Sequence, residues 1–171
     1  MNNIINITKL SDVRIEYLEP FKVISSYTKE SNGEQSGCES KPEQWNEVCK
    51  RMVQQPRGYF EFPNPFQPGQ MVEIYKVPSD YNNDTEFIDF TFEGGLFAIT
   101  VSYAHEIGQR WEKLKDWINE NENFALDTLS YGGSRAEVYG NPLTPKNIHK
   151  MLGETLECFQ WDLLVPIKIK C

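Results

Sequence analysis

Two hydrophobic periods meet between Ile88 and Glu122. Ile88, Phe90 and Phe92 alternate with polar residues, as a half-buried strand requires. Glu93-Gly94-Gly95 interrupts them, and its glycines can supply the positive φ of a hairpin turn. Leu96 to Tyr103 resumes as a β-rich run. From His105 the period becomes helical, with Ile107, Trp111, Leu114, Trp117 and Ile118 near one face. The stretch predicts strand, tight turn, strand and helix.

The first part of the chain repeats that order more faintly. Val13, Ile15 and Tyr17 alternate with Arg14 and Glu16, Glu19-Pro20 breaks the run, and Phe21, Val23, Ser25 and Tyr27 begin a second strand. The pair predicts a hairpin. Residues 30–39 have loop composition. Ser40 and Glu43 then form a capping box, with Pro42 in the first turn. Trp45, Val48, Cys49 and Met52 make the helix's buried stripe, and Pro56 closes it. Short strands are predicted at Arg57–Phe60 and Met71–Val77, separated by the loop residues Pro63, Pro65, Pro68 and Gly69. A polar connection at 78–85 divides the halves.

In the second half the helix ends near Asn121, and Phe124-Ala125-Leu126 tucks back onto the core. Gly132-Gly133 leads into a short strand at Arg135–Tyr139, and Gly140 to Glu157 is a long connection. Trp161, Leu163, Val165, Ile167 and Ile169 alternate as the last strand. Both halves thus read strand, turn, strand, helix, strand, loop, strand. On the helices, Gln44-Trp45-x-x-Val48 answers Arg110-Trp111-x-x-Leu114. The expected fold is α+β, with two main helices and about eight mostly antiparallel strands. The whole chain, 1–171, is one domain made of pseudo-repeats at approximately 12–78 and 86–170.

Charge narrows the function. Seventeen basic against 25 acidic side chains give a net −8, which repels phosphate backbones, so direct DNA binding is not expected. Aromatics make up 13% of the chain, enough to pack a core or to line a ligand cavity. No apolar run nears the roughly 20 residues that span a bilayer, so no membrane role is expected. Cys38, Cys49, Cys158 and Cys171 form no C-x-x-C pair, and the N-terminus shows no secretory pattern. Reduced thiols in the cytoplasm are the expectation.

Familiar catalytic and cofactor motifs are missing. His105-Glu106 begins like H-E-x-x-H, but Gln109 stands where the second histidine would be. His149 has no companion ligand, so neither a metal site nor a cofactor is expected. No G-x-S-x-G elbow is present, and Gly94-Gly95 and Gly132-Gly133 read as turns rather than phosphate loops.

With this order assembled, roughly residues 12–170 resemble the GyrI-like small-molecule-binding family. That family includes effector-binding domains of multidrug-responsive transcription regulators and stand-alone gyrase-inhibitory proteins. The likeness rests on the order and spacing of several motifs. They are Gly95 to Trp117 with its two tryptophans, Gly58-Tyr59-Phe60, Glu137-Val138-Tyr139, and Trp161 to Ile169 with Pro166 inside it. The resemblance implies tandem strand–helix–strand–strand modules around a cleft for bulky, often cationic and aromatic compounds. It also implies an interior glutamate, which maps onto Glu137. Unlike the regulators, this chain has only eleven residues before its first strand, so no separate DNA-binding domain is expected.

Residues two apart in a strand share a face, which places Arg135, Glu137 and Tyr139 together and Ala136 and Val138 opposite. The pattern alone leaves two readings open: a solvated face where Glu137 neighbours Arg135, or a cavity wall with a desolvated carboxylate. The resemblance implies the second. A desolvated carboxylate favours a cation, and aromatic faces would add about 0.5–2 kcal/mol per ring. Further wall candidates are Tyr17, Tyr59, Tyr75, Tyr103 and Trp161 on strands, with Trp45 and Trp111 on helices; each also suits ordinary packing. The expected function is stand-alone binding of a hydrophobic, cationic small molecule, for sensing or sequestration. The alternatives are a hydrolase of strained electrophilic rings, with Glu137 as general base and Tyr139 or Tyr103 as donor, and a gyrase-inhibitor-like interaction protein with a protein partner.

Overall fold

The computed structural model describes residues 10–28, 41–52, 59–63, 71–127, 137–138 and 160–170. The strands are β1 (Arg14–Leu18), β2 (Phe21–Thr28), β3 (Tyr59–Pro63), β4 (Met71–Lys76), β5 (Phe87–Phe92), β6 (Gly95–Tyr103), β7 (Phe124–Leu126), β8 (Glu137–Val138) and β9 (Gln160–Ile169). Helix α1 (Pro42–Met52) follows β2. Helix α2 (Ile107–Glu120) follows β6 through a single 3-10 turn at Ala104–Glu106. Ser40, Pro56, Gly132-Gly133 and the Gly140–Glu157 connection lie outside the described residues.

The strands hydrogen-bond in the order β1-β6-β9-β8-β3-β4-β2-β5, and β7 adds to the far end of β9. Every pair is antiparallel. The expected α+β class, with two helices and mostly antiparallel strands, is the observed one.

Neither expected hairpin forms. β1 pairs with β6, and β2 pairs with β5, so each half of the chain lends its first strand to the other. Chain chemistry explains why. Favoured two-residue hairpin turns need positive φ at one or both central residues. At Glu19-Pro20 the ring fixes φ near −65° and holds the preceding residue extended. The chain therefore runs straight through. Leu18 pairs with Gly95 and Phe21 with Phe92, which brings the two links side by side, antiparallel. Gly94 (φ +70°) makes the crossing possible: a Cβ there would lie 2.1 Å from the Leu18 carbonyl oxygen. The positive φ is the conformational need that the sequence predicts for Gly94; the Leu18 carbonyl across the link is the added constraint.

Beneath the crossing lies a shared core of Val23, Phe60, Val72, Ile74, Phe92, Phe97, Ile99 and Leu164. Phe60 on β3 and Phe92 on β5 are three places apart in the strand order, yet their rings lie 5.5 Å apart. The sheet curls around this core.

The other face carries both helices over separate clusters. Under α1, Trp45, Val48, Cys49 and Met52 pack with Ile24, Tyr75, Val77 and Phe87. Under α2, Trp111, Leu114 and Ile118 pack with Ala98, Leu163, Val165 and Ile167. In both helices the stripe has the i, i+3, i+7 spacing of an amphipathic helix. Among the described residues, no helix is long and apolar enough to cross a membrane.

The two clusters correspond position by position. The order β2-β4-β3 is mirrored by β6-β9-β8. Ile24 pairs with Tyr75 under α1, as Ala98 pairs with Val165 under α2. Val77 and Ile167 follow two residues on in each.

Candidate functional site

The halves meet where β3 lies against β8, and there Glu61 is the register partner of Glu137. Glu61 is also opposite Glu73 on β4, and Glu137 is opposite Leu163 on β9. The register thus sets three glutamates in one row across three adjacent strands. Leu163 in turn pairs with Thr100 on β6. At the other end Ser25 pairs with Ile74, and the next residue, Ser26, accepts the Glu73 backbone N–H through Oγ at 3.2 Å. The row reads Ser26, Glu73, Glu61, Glu137, Leu163, Thr100. It is symmetrical in its hydroxyl ends and in its central glutamates, and unsymmetrical at Glu73 against Leu163.

Alternation fixes the described ends of the row. Glu73 and Tyr75 share a face because residues two apart in a strand do, and Tyr75 packs under α1. Glu73 is only 9% exposed. A buried carboxylate needs hydrogen-bond donors, and α1 supplies one: Trp45 Nε1 donates to Glu73 Oε2 at 2.6 Å. Trp45 is held in turn by the Phe87 ring, edge-on at 4.9 Å, and by Tyr75 at 5.9 Å. The carboxylate is therefore set in place by a rigid aromatic packing.

At the second end the donor has no partner among the described residues. Trp111 is 6% exposed and sits in one cluster with Leu163, and its Nε1 makes no hydrogen bond among the described residues. Trp45 lies over Ile24, Tyr75 and Val77 as Trp111 lies over their counterparts Ala98, Val165 and Ile167. In the position that corresponds to Glu73 the chain has Leu163, which offers no acceptor. Beyond it, buried Thr100 donates to Asp12 Oδ2 at 3.1 Å, and Arg110 Nη1 reaches both carboxylate oxygens of Asp12 at 2.9 Å. Arg110 also lies 3.4 Å from Glu106.

Helix α1 packs on residues of β2 and β4 and α2 on residues of β6 and β9, and β3 and β8 lie between β4 and β9 in the strand order. The two central glutamate positions thus lie on the strands between the helices.

The candidates named from sequence fall into distinct places. Glu137 lies in β8, Tyr59 in β3 and Trp161 in β9, each placed by its backbone; Tyr139 lies outside the described residues. Trp45 and Tyr75 share a buried cluster beside Glu73. Tyr17 is 61% exposed on edge strand β1, and Tyr103 is 36% exposed at the end of β6, stacked on His105 at 6.0 Å. Glu61 and Glu73 were not singled out from the sequence. A signal was present: Glu73-Ile74-Tyr75 repeats the Glu-x-Tyr of Glu137-Val138-Tyr139. Among the described residues, no three metal-ligating side chains converge.

No protein-family profile and no curated protein matches the chain by sequence. Solved structures match it by fold. SAV2435 bound to tetraphenylphosphonium aligns with a TM-score of 0.52 at 12% identity, over 92% of this chain and 94% of that one. The EcmrR C-terminal domain aligns at 0.54 and 13% identity, over 92% and 97%. A hydrolase from Listeria innocua aligns at 0.59 and 10% identity, over 94% and 93%. At such identities the likeness is one of fold. That fold is the one the resemblance to GyrI-like domains implies.

Proposed function

We propose that this chain binds small molecules, taking a bulky, hydrophobic, aromatic cation over the strands between α1 and α2. The observation that carries the reading is the row Glu73, Glu61, Glu137. Cross-strand partners lie on one face of a sheet, and like charges set opposite one another repel. A bound cation would relieve that repulsion. Aromatic side chains near the row would add cation–π attraction. The solved complex of SAV2435 with tetraphenylphosphonium supports a lipophilic cation as ligand for this fold. The mirrored strand order supports reading the chain as one domain of two pseudo-repeats.

Titration with tetraphenylphosphonium, followed by calorimetry or tryptophan fluorescence, tests the reading. Saturable binding that Glu137→Gln weakens is the expected result. Equal binding by the variant would remove the electrostatic role, and no saturable binding of any lipophilic cation would remove the function.

A hydrolase is the second reading, favoured by the fold match to the Listeria innocua hydrolase. A carboxylate in this row would act as the general base for water. Turnover of an epoxide or cyclopropane that Glu137→Gln abolishes would establish it, whereas binding without turnover leaves the first reading.

A further inference from the structure

Trp111 carries a buried donor that has no partner among the described residues. Buried indole N–H groups usually find partners, and Trp45, its counterpart, has one in Glu73. Along the row the halves differ in kind of side chain at one place, Leu163 for Glu73. That difference makes the two ends of the proposed site chemically unlike. One end offers a fixed carboxylate whose donor is taken; the other offers a free donor beside an aliphatic side chain.

Resting on the proposed function, we infer that the site is polar along the row and that Trp111 is a specificity residue. The ligand's cationic centre lies over the glutamates, and its other end presents a hydrogen-bond acceptor to Trp111 Nε1. The ligand class is a lipophilic aromatic cation bearing a carbonyl, ester or ether. Neighbouring strands are about 4.8 Å apart, so an acceptor two to three strands from the charge sits about 10–14 Å away at most, less where the sheet curls. Ligands with charge alone would fill the first end and leave the Trp111 donor unsatisfied.

A matched pair of probes tests this: hexyltriphenylphosphonium, and the same cation with a methyl ester ending its six-carbon chain. The wild type is expected to bind the ester more tightly by roughly three- to tenfold, the range of one net hydrogen bond. Trp111→Phe keeps an aromatic ring and removes the N–H, so it should erase that preference and leave the two probes binding equally. Trp45→Phe removes the Glu73 donor instead, so it should weaken both probes alike and keep the preference between them. In wild-type protein the Trp111 indole N–H resonance should shift on adding the ester more than on adding the alkyl cation, a readout that needs no variant to fold. Equal affinities for the two probes in wild type, an unchanged preference in Trp111→Phe, or identical indole shifts would overturn the inference and leave cation binding standing. If neither probe binds wild type, the proposed function falls and this inference with it.

Discussion

Trp45 donates to Glu73 across 2.6 Å of buried space, while Trp111, in the corresponding place under α2, donates to nothing among the described residues. The two tryptophans hold corresponding places over the sheet, so the pair compares one with a buried acceptor and one without. Trp45→Phe removes the same aromatic bulk as Trp111→Phe and also strips a donor from a carboxylate that is 9% exposed. A hydrogen bond to a charged group contributes about 1.5–3 kcal/mol. Urea unfolding should show Trp45→Phe less stable than Trp111→Phe by about that amount. Equal losses would mean that Glu73 finds another donor once Trp45 is gone.

Gly94 should be the least replaceable of the three glycines with defined surroundings. Its φ of +70° and the 2.1 Å approach to Leu18 O leave no room for a methyl group. Gly94→Ala must therefore separate the two links that let the halves exchange strands, at about 3 kcal/mol or more. Gly95 has φ +130°, and a Cβ there would meet only the Phe97 ring at an ordinary 4.0 Å, so Gly95→Ala incurs mainly backbone strain, about 1–3 kcal/mol. Gly108 is helical with nothing within 4 Å, and Gly108→Ala should stabilise by up to about 1 kcal/mol. Thermal unfolding of the three variants checks the order.

Much of this architecture was written in local pattern, because strand and helix periods depend on near neighbours. Val13-Ile15-Tyr17, Phe21-Val23 and the stripes of Trp45 and Trp111 each predicted an element that the structure contains. Pairing partners were not legible, since Leu18 and Gly95 are far apart in sequence and nothing between them records the exchange. The hairpin expectation ignored what Pro20 does to turn geometry. Burial on both faces of a strand also hid Glu73: Val72 and Ile74 alternate as a core face should, and a carboxylate between them reads as solvent-facing. Only the register, with Ser26 and Trp45 brought beside it, turns Glu73 into a buried group. Glu61 and Glu137 became neighbours in the same way, through pairing of β3 with β8.

Asp89 ties the connection after β4 to strand β5. Asn83 Nδ2 donates to its carboxylate at 2.7 Å, and Lys22 Nζ lies 3.4 Å away. The Asn83 hydrogen bond, opposed by burial and aided by Lys22, lowers the Asp89 pKa below its usual 3.8. A depressed folded-state pKa contributes stability that is complete above 3.8 and is lost as pH falls below that value through the folded pKa. Asp89→Asn should therefore be less stable than wild type at neutral pH, and the gap should close as pH drops below about 4. Chemical denaturation at pH 7, 5, 4 and 3 measures the gap; a constant difference across this range would mean that the contribution is packing rather than charge.

Under the proposed function, the register of Glu61 against Glu137 sets stability and binding in opposition. Directly opposed like charges destabilise a sheet by roughly 0.2–1 kcal/mol relative to neutral pairs. Replacing either by glutamine keeps the shape and removes one of two like charges at paired positions. Glu61→Gln and Glu137→Gln should each melt at or above the wild-type temperature without ligand, and the double variant should gain less than the sum, since the first change already removes the shared repulsion. Under the proposed function the same variants lose affinity for tetraphenylphosphonium, and the stabilisation that the cation gives wild type shrinks with them. Binding sites often carry such a cost in stability. Variants that melt lower than wild type and bind the cation as well would place the two carboxylates outside the site, in ordinary solvated roles.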